Sequence, residues 1–372
     1  ATKATMTFAE AEAILTTDEA LAADAKVRPT HEFGRGDVSN TLQSAPLTAS
    51  GHLSVGGQEH MYLEGQVSLA IPEEEDRISI FTSSQHPSEV QKLVAEVLDV
   101  KLHRVAVDMR RMGGGFGGKE SQAAQWACLA AVFALRTRRA VKMRLPRMMD
   151  MQVTGKRHPF ENDYEIAFNE SGKMLGAKVT VSGNCGHSPD LSDAIVDRAM
   201  FHVDNAYQLG DTHVTGHRLK TNIVSHTAFR GFGGPQGLIM AELLMDVVAR
   251  KTGLDPLSVR KLNLYGQENG TVTPYGMPLE QDILADLIGK LEADSNYWQR
   301  REEVKAFNAA SPIIKKGLAL TPVKFGISFT AKHLNQAGAL LHIYTDGSIQ
   351  VNHGGTEMGQ GLHTKIGQIV AH

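Results

Sequence analysis

Nine residues, Met112-Gly-Gly-Gly-Phe-Gly-Gly-Lys-Glu120, restrict what this chain can fold into more than any other stretch. Five glycines leave the backbone free to take positive φ and to press its N–H groups against a ligand. Gly113 and Gly118 have the spacing of a phosphate-binding P-loop ahead of Lys119, but Glu120 stands where Ser or Thr must hold Mg²⁺. A carboxylate there repels a triphosphate, which argues against a nucleotide P-loop. The stretch also contains G-x-G-x-x-G, a weak signal outside a strand–loop–helix context. Val105-Ala-Val-Asp-Met109 predicts a short strand before the loop, and Ala123 to Arg136 predicts an apolar helix after it. Helix N-terminal amides then face whatever binds. The reading is a glycine loop that approaches an anionic ligand and presents one carboxylate beside it.

At 372 residues the chain is long enough for two or three domains and a substantial core. A hydrophobic content of 42% with 21% charge fits a soluble globular protein, and a net charge of −3 gives no support for nucleic-acid binding or attraction to an anionic membrane. Cys128 and Cys185 are too few for iron–sulfur ligation and too far apart for a CxxC site, which favours a reduced, cytoplasmic setting. There is no apolar run of membrane-spanning length and no signal-peptide pattern. Both ends read as cut, the first at Ala1-Thr-Lys3 and the last at His372.

Ala9 to Ala25 has helical propensity, and Lys26 to Ser50 reads as a polar loop. Gly65 to Ala70 and Arg77 to Ser83 predict strands, and Pro87 opens an amphipathic helix with Val90, Leu93, Val94, Val97 and Leu98 on one face. A second glycine cluster, Phe229-Arg-Gly-Phe-Gly-Gly-Pro-Gln236, precedes an apolar helix at Leu238 to Arg250. A third, Gly354-Gly-Thr-Glu-Met-Gly-Gln-Gly361, follows a predicted hairpin of Gly338–Tyr344 and Ser348–Asn352. Ile283 to Phe307 reads as helical and surface-charged, and a domain boundary is expected near Gly266.

A single glycine loop is by default a tight turn. Three loops, each with polar side chains (Lys119 and Glu120, Arg230 and Gln236, Glu357 and Gln360), point instead to a large anionic cofactor held by backbone amides. Arg230 suits a phosphate or polar heterocycle and is expected to be partly buried. Taken alone, Phe232 and Phe329 read as core residues, Gln85 as a turn or cap, and Arg198 as half of a surface ion pair with Asp197. The histidines show no metal-ligand spacing, so a zinc site is not supported.

Six segments together carry a resemblance. They are Gly57-Gln-Glu-His-Met-Tyr-Leu-Glu64, Ser84-Gln-His-Pro-Ser88, Arg111-Met-Gly-Gly-Gly-Phe-Gly-Gly-Lys-Glu120, Thr227-Ala-Phe-Arg-Gly-Phe-Gly-Gly-Pro-Gln236, Lys324-Phe-Gly-Ile-Ser-Phe-Thr330 and Gly354-Gly-Thr-Glu-Met-Gly-Gln-Gly-Leu-His-Thr-Lys365. They closely resemble the molybdenum-binding part of the xanthine dehydrogenase/aldehyde oxidase family, most of all the bacterial large subunit. The resemblance implies a mixed α/β (α+β) fold: the end of a preceding domain over 1–22, a first molybdopterin-binding domain over 23–266, and the start of a second over 267–372. It implies a molybdenum–molybdopterin cofactor whose metal takes no protein ligand, with Gln85 and Phe116 near the molybdenum. Gly115, Phe116 and Gly117 would line the metal, and Arg230, Met358 and Gln360 would contact the pterin. Glu120 and Arg198 would bind a purine from opposite edges, between the rings of Phe232 and Phe329.

The activity so implied is hydroxylation of hypoxanthine or xanthine to urate, with electrons leaving through [2Fe-2S] and FAD centres in other parts of the complex. Oxidation of aldehydes or other N-heterocycles is the alternative. The implied partners are the remaining piece of the molybdenum subunit and an iron–sulfur/FAD subunit, in a dimer of heteromeric protomers, with no nucleic acid and no membrane. The family's general-base glutamate lies beyond the Gly359-Gln-Gly-Leu-His363 motif, so it is expected to fall after His372.

Overall fold

The computed structural model describes residues 7, 9–266, 268–281 and 283–372. The chain passes first through α1 (Thr17–Ala22), β1 (Lys26–Arg35), α2 (Val38–Ser44) and β2 (Leu47–Val55). A compact α/β unit follows: β3 (Val67–Pro72), β4 (Ile78–Thr82), α3 (Pro87–Leu98), β5 (Val105–Asp108), α4 (Gln122–Thr137) and β6 (Val141–Arg144). Next come α5 (Arg147–Val153), β7 (Phe160–Phe168), β8 (Met174–Asn184), α6 (Ser192–Met200), β9 (Asp211–Leu219), α7 (Gly234–Thr252) and α8 (Pro256–Asn263). The chain continues through α9 (Leu284–Asp294), α10 (Tyr297–Ala310), the hairpin β10 (Ala339–Ile343) and β11 (Ile349–His353), and α11 (Leu362–Ala371).

The larger sheet has the order β1-β9-β8-β7-β2, antiparallel except for the parallel pair β8/β9. The chain between that parallel pair includes α6, the element that carries Arg198. Phe160, Ile166, Phe168, Val179 and Val181 form the sheet's half of the main core, against Met240, Leu244, Met245 and Val248 of α7. Each such side chain, fully buried, contributes about 1.5–3 kcal/mol before entropy is counted. The smaller sheet has the order β5-β4-β3-β6, with β4 and β5 parallel. Its cover, α4, presents Ala127, Ala130, Ala131 and Ala134, all fully buried. These small residues let the helix lie close against the sheet.

Two expectations from the sequence are corrected. Of the helix expected over Ala9–Ala25, only Thr17–Ala22 forms, started by a capping box in which Glu19 N–H donates to Thr16 Oγ1 at 3.2 Å and Thr16 N–H donates to the Glu19 carboxylate at 3.0 Å. Lys26 to Ser50 is not a loop but holds β1, α2 and the start of β2. Ile283–Phe307 is helical as expected, in two helices separated where Asn296 takes a left-handed conformation at φ 50°. The N-terminal segment expected to close a preceding domain falls partly outside the described residues. Among those described, no helix is long and apolar enough to cross a membrane.

Candidate active site

Strands β4 and β5 end side by side, and ligands of open α/β sheets bind off the carboxyl ends of parallel strands. The segment leaving β4 carries Gln85, and the segment leaving β5 carries the glycine loop. The two are bonded together. Gln85 N–H donates to the Lys119 carbonyl at 2.8 Å, while its side-chain oxygen accepts from the N–H groups of Gly117 (2.8 Å) and Lys119 (3.3 Å). With that oxygen committed, the amide orientation is fixed and the Nε2 donors are left for the cavity it lines.

The second glycine cluster closes the opposite wall. Arg230 N–H donates to the Phe116 carbonyl at 2.8 Å. Gly117, at φ 100°, lies so close that a Cβ there would stand 2.6 Å from the Ala228 carbonyl oxygen. Only glycine fits. Phe116 and Phe232, one in each Gly-Phe-Gly-Gly turn, both take positive φ (54° and 51°), a strain that recurs at ligand sites. The third cluster joins through Thr356, whose hydroxyl donates to the Gln85 carbonyl at 3.2 Å.

Between the clusters lies a cavity of about 600 Å³, a size suited to a cofactor. Gln85, Gly115, Phe116 and Gly117 line one part of it, Arg230 and Phe232 another, and Met358 and Gln360 a third. Glu120 also lines it. Burial pushes the Glu120 carboxyl up to about 7, with the charge of Asp190 acting in the same direction and His86 opposing.

Arg198 and Phe329 stand behind this wall rather than in it. Arg198 is 5% exposed and has no ion pair among the described residues; its guanidinium donates to the carbonyls of Gly326 and Ser328 and lies over the rings of Phe325 (5.3 Å) and Phe232 (5.9 Å). The surface pair with Asp197 does not form, because Asp197 bonds His31 (2.8 Å) and Arg218 instead. Phe329 meets Phe232 directly, ring centroids 5.5 Å apart and planes tilted by 53°. A flat ligand between them requires these rings to part.

Several polar side chains of the loops turn away from the cavity, against expectation. Lys119 is fully buried and bonded inward, to the Glu64 carbonyl among others. Gln236 bonds the His158 carbonyl at 3.3 Å. The Glu357 carboxylate caps its own loop by accepting from Gly359 N–H at 2.8 Å and His363 N–H at 3.2 Å. Arg230, expected to be partly buried, is exposed. Two supporting residues were not singled out from the sequence. Neutral His60, its pKa lowered by burial, donates Nε2–H to the Ala228 carbonyl at 2.7 Å and stacks on Phe229 at 4.6 Å. Arg157 donates to the Arg230 carbonyl at 3.0 Å and covers the other part of the Phe229 ring at 4.0 Å. His60 could have been found in the segment Gly57–Glu64, whose match had no role attached to it.

This donor set suits an anionic cofactor that brings its own metal ligands: main-chain amides and the carboxamides of Gln85 and Gln360, with few charges. Among the described residues, the His/carboxylate group with metal-ligand spacing is His31, Asp193 and Asp197; it lies off the cavity and is already bonded by Arg218.

Comparison with known proteins agrees. Residues 22–264 match the model of one molybdopterin cofactor-binding domain and residues 290–372 that of a second. The chain is 46% identical over 90% of its length to xanthine dehydrogenase of Calliphora vicina, and 41% identical over 98% to nicotinate hydroxylase of Emericella nidulans. It spans about a quarter of the length of these relatives (25% and 28%). Among solved structures, aldehyde oxidoreductase from Desulfovibrio gigas superposes with a TM-score of 0.76 at 25% identity, covering 92% of this chain and 38% of that one. The chain therefore belongs to the molybdopterin cofactor-binding family, in its xanthine dehydrogenase-like branch.

Proposed function

We propose that this chain forms the larger part of the molybdenum site of a purine hydroxylase, which converts hypoxanthine and xanthine to urate and passes electrons to iron–sulfur and flavin centres in other parts of a cytoplasmic, heteromeric complex. The observation that carries this reading is Glu120, a half-buried carboxyl lining the same cavity as Gln85 and the amide wall. We place the domain division at 1–22, 23–266 and 267–372.

The bound molybdenum–pterin group supplies the oxygen-transfer and redox chemistry. The chain's residues hold and orient. The Gly115–Gly117 stretch, whose Gly117 N–H is held by Gln85 Oε1, and the Gln85 carboxamide would hold the metal's ligands, and Arg230, Met358 and Gln360 would hold the pterin. Glu120 grips one edge of a purine. Arg198 grips the other and offsets negative charge that builds on the ring. Phe232 and Phe329 fix the ring plane, at little cost in entropy because they are rigid.

Molybdenum and an oxidised pterin are expected to co-purify with the assembled protein at close to one per chain, measured by elemental analysis and pterin fluorescence. Metal near zero in a freshly purified, assembled complex sinks the reading. A second test is the pH profile. With its carboxyl raised to about 7, Glu120 is a hydrogen-bond donor below that pH and a bare carboxylate above it. Purine kcat/KM is expected to fall as pH rises through about 7, and Glu120→Gln, which donates at every pH, is expected to remove that limb. The same shift means the folded chain holds a proton that an unfolded one releases near 4.5, so stability declines as pH rises across that window.

A pyridine carboxylate is the second reading. The nicotinate hydroxylase relative favours it, since Arg198 would pair with the substrate's carboxylate. Steady-state rates on xanthine, nicotinate and an aromatic aldehyde decide between them.

A further inference from the structure

Lys119 is an ammonium group with no exposed surface and, among the described residues, no carboxylate in contact. A buried unpaired charge is costly, and packing alone is better served by an apolar side chain. Its surroundings show what offsets the cost. The three donors of Nζ are all used, to the Glu64 carbonyl (2.8 Å), the Ser83 hydroxyl (2.7 Å) and the Met112 carbonyl (2.7 Å). The Tyr62 ring faces the ammonium at 4.7 Å. Burial lowers the amine to about 8, with Asp150 and Glu64 holding it up.

The acceptors are what give the residue its reach. Glu64 lies in the segment entering β3, Ser83 directly follows β4, and Met112 begins the glycine loop beyond β5. One side chain thus ties together the ends of three neighbouring strands of the smaller sheet. The main chain of the same residue faces the other way. Its carbonyl accepts from Gln85 N–H and its N–H donates to Gln85 Oε1, as does the N–H of Gly117. Lys119 therefore joins the interior of the sheet to the carboxamide and amides that line the cavity.

We propose that Lys119 is a positioning residue for the metal-facing wall: its three-way clamp sets the register of the glycine loop, and through it the placement of Gln85 and the Gly117 amide. The proposal rests on the molybdenum reading above. It predicts an effect on the metal-centred step, because the main-chain bonds of Lys119 lead to Gln85 and through it to Gly117; Glu120, peptide-bonded to Lys119, shifts with the loop, so KM does not discriminate. A displacement of about 1 Å in such a wall lowers the rate by up to about a hundredfold.

The test uses the complete assembled enzyme with Lys119→Met, which keeps the length of the side chain and removes its donors. Expected are a fall of about tenfold or more in kcat per bound molybdenum and an altered Mo(V) electron paramagnetic resonance signal. Amide exchange at Gly117 and Lys119 should also quicken. A residue that only supported the fold would lower the melting temperature and the molybdenum content, yet leave kcat per molybdenum and the resonance signal of the loaded fraction unchanged; that result overturns the proposal. Ser83→Ala removes one acceptor and decides the matter if the Met variant does not fold. A smaller shift of the same signal supports the clamp, and an unchanged signal with unchanged exchange refutes it. If the parent enzyme carries no molybdenum, the functional reading falls, while quickened exchange in the variants still upholds the clamp.

Discussion

In the assembled enzyme, Arg198→Met is expected to lower xanthine turnover by about one to two orders of magnitude in kcat/KM while an aromatic aldehyde loses no more than about threefold. The guanidinium is almost fully buried, and burial lowers its pKa, so its charge is held at a cost that a substrate contact can recover. Its hydrogen bonds go to main-chain carbonyls of Gly326 and Ser328, neutral acceptors that an anionic or strongly polar ring edge can replace. An aldehyde without heteroatoms at that edge gains nothing from the exchange. Steady-state kinetics on both substrates measure the effect. Equal losses on the two would mean that Arg198 serves only to hold the segment at Gly326–Ser328.

The second large effect is on stability. Lys324→Met is expected to destabilise the fold by about 3–5 kcal/mol, the usual result of leaving a buried charge without its partner. Asp204 is 1% exposed, and Lys324 Nζ reaches it at 2.6 Å; Tyr265 donates to the same carboxylate at 2.7 Å. Around that pair the chain is stitched to the region after α6. Asn205 holds the Pro322 carbonyl at 2.9 Å and accepts from Lys324 N–H at 2.9 Å, and His202 accepts from Gly326 N–H at 3.0 Å. Loss of the ion pair should therefore also loosen the run to Phe329, and with it the contact to Phe232. Chemical denaturation of the purified protein tests the first effect. A loss below about 1 kcal/mol would show that Asp204 finds its proton or another partner.

What could be read from the sequence follows from where the signal lies. The glycine loop, the strand before it and the helix after it were legible because five glycines interrupt two apolar runs. The stretch Lys26–Ser50 was not. In β2, Leu47, Ala49, Gly51, Leu53 and Val55 alternate with Thr48, Ser50, His52 and Ser54 in step with partly buried and exposed positions, a period of two that the small Ala49 and Gly51 weaken. Strand β1 before it mixes Pro29 and charged residues into its run. The break at Asn296 was missed because one left-handed residue interrupts an otherwise continuous helical pattern. Site residues brought by the motif resemblance mostly meet at one cavity, whereas the aim of individual side chains was hidden. Lys119 reads as an anion ligand beside its glycines, yet three acceptors from distant segments draw it inward. Such convergence depends on tertiary structure and leaves no local trace.

The cavity's two sides are made of different material. On the side proposed for the cofactor it combines the side chains of Gln85, Arg230, Met358 and Gln360 with close-packed glycine loops, where a residue such as Gly117, beside the Ala228 carbonyl, admits no side chain. On the side proposed for the substrate it is Glu120, Phe232 and, behind them, Arg198, each replaceable on its own. Mutation can therefore explore new substrates at that end while the cofactor cradle stays intact. Proteins named for xanthine and for nicotinate, 46% and 41% identical to this chain, are what such a division of materials would be expected to yield.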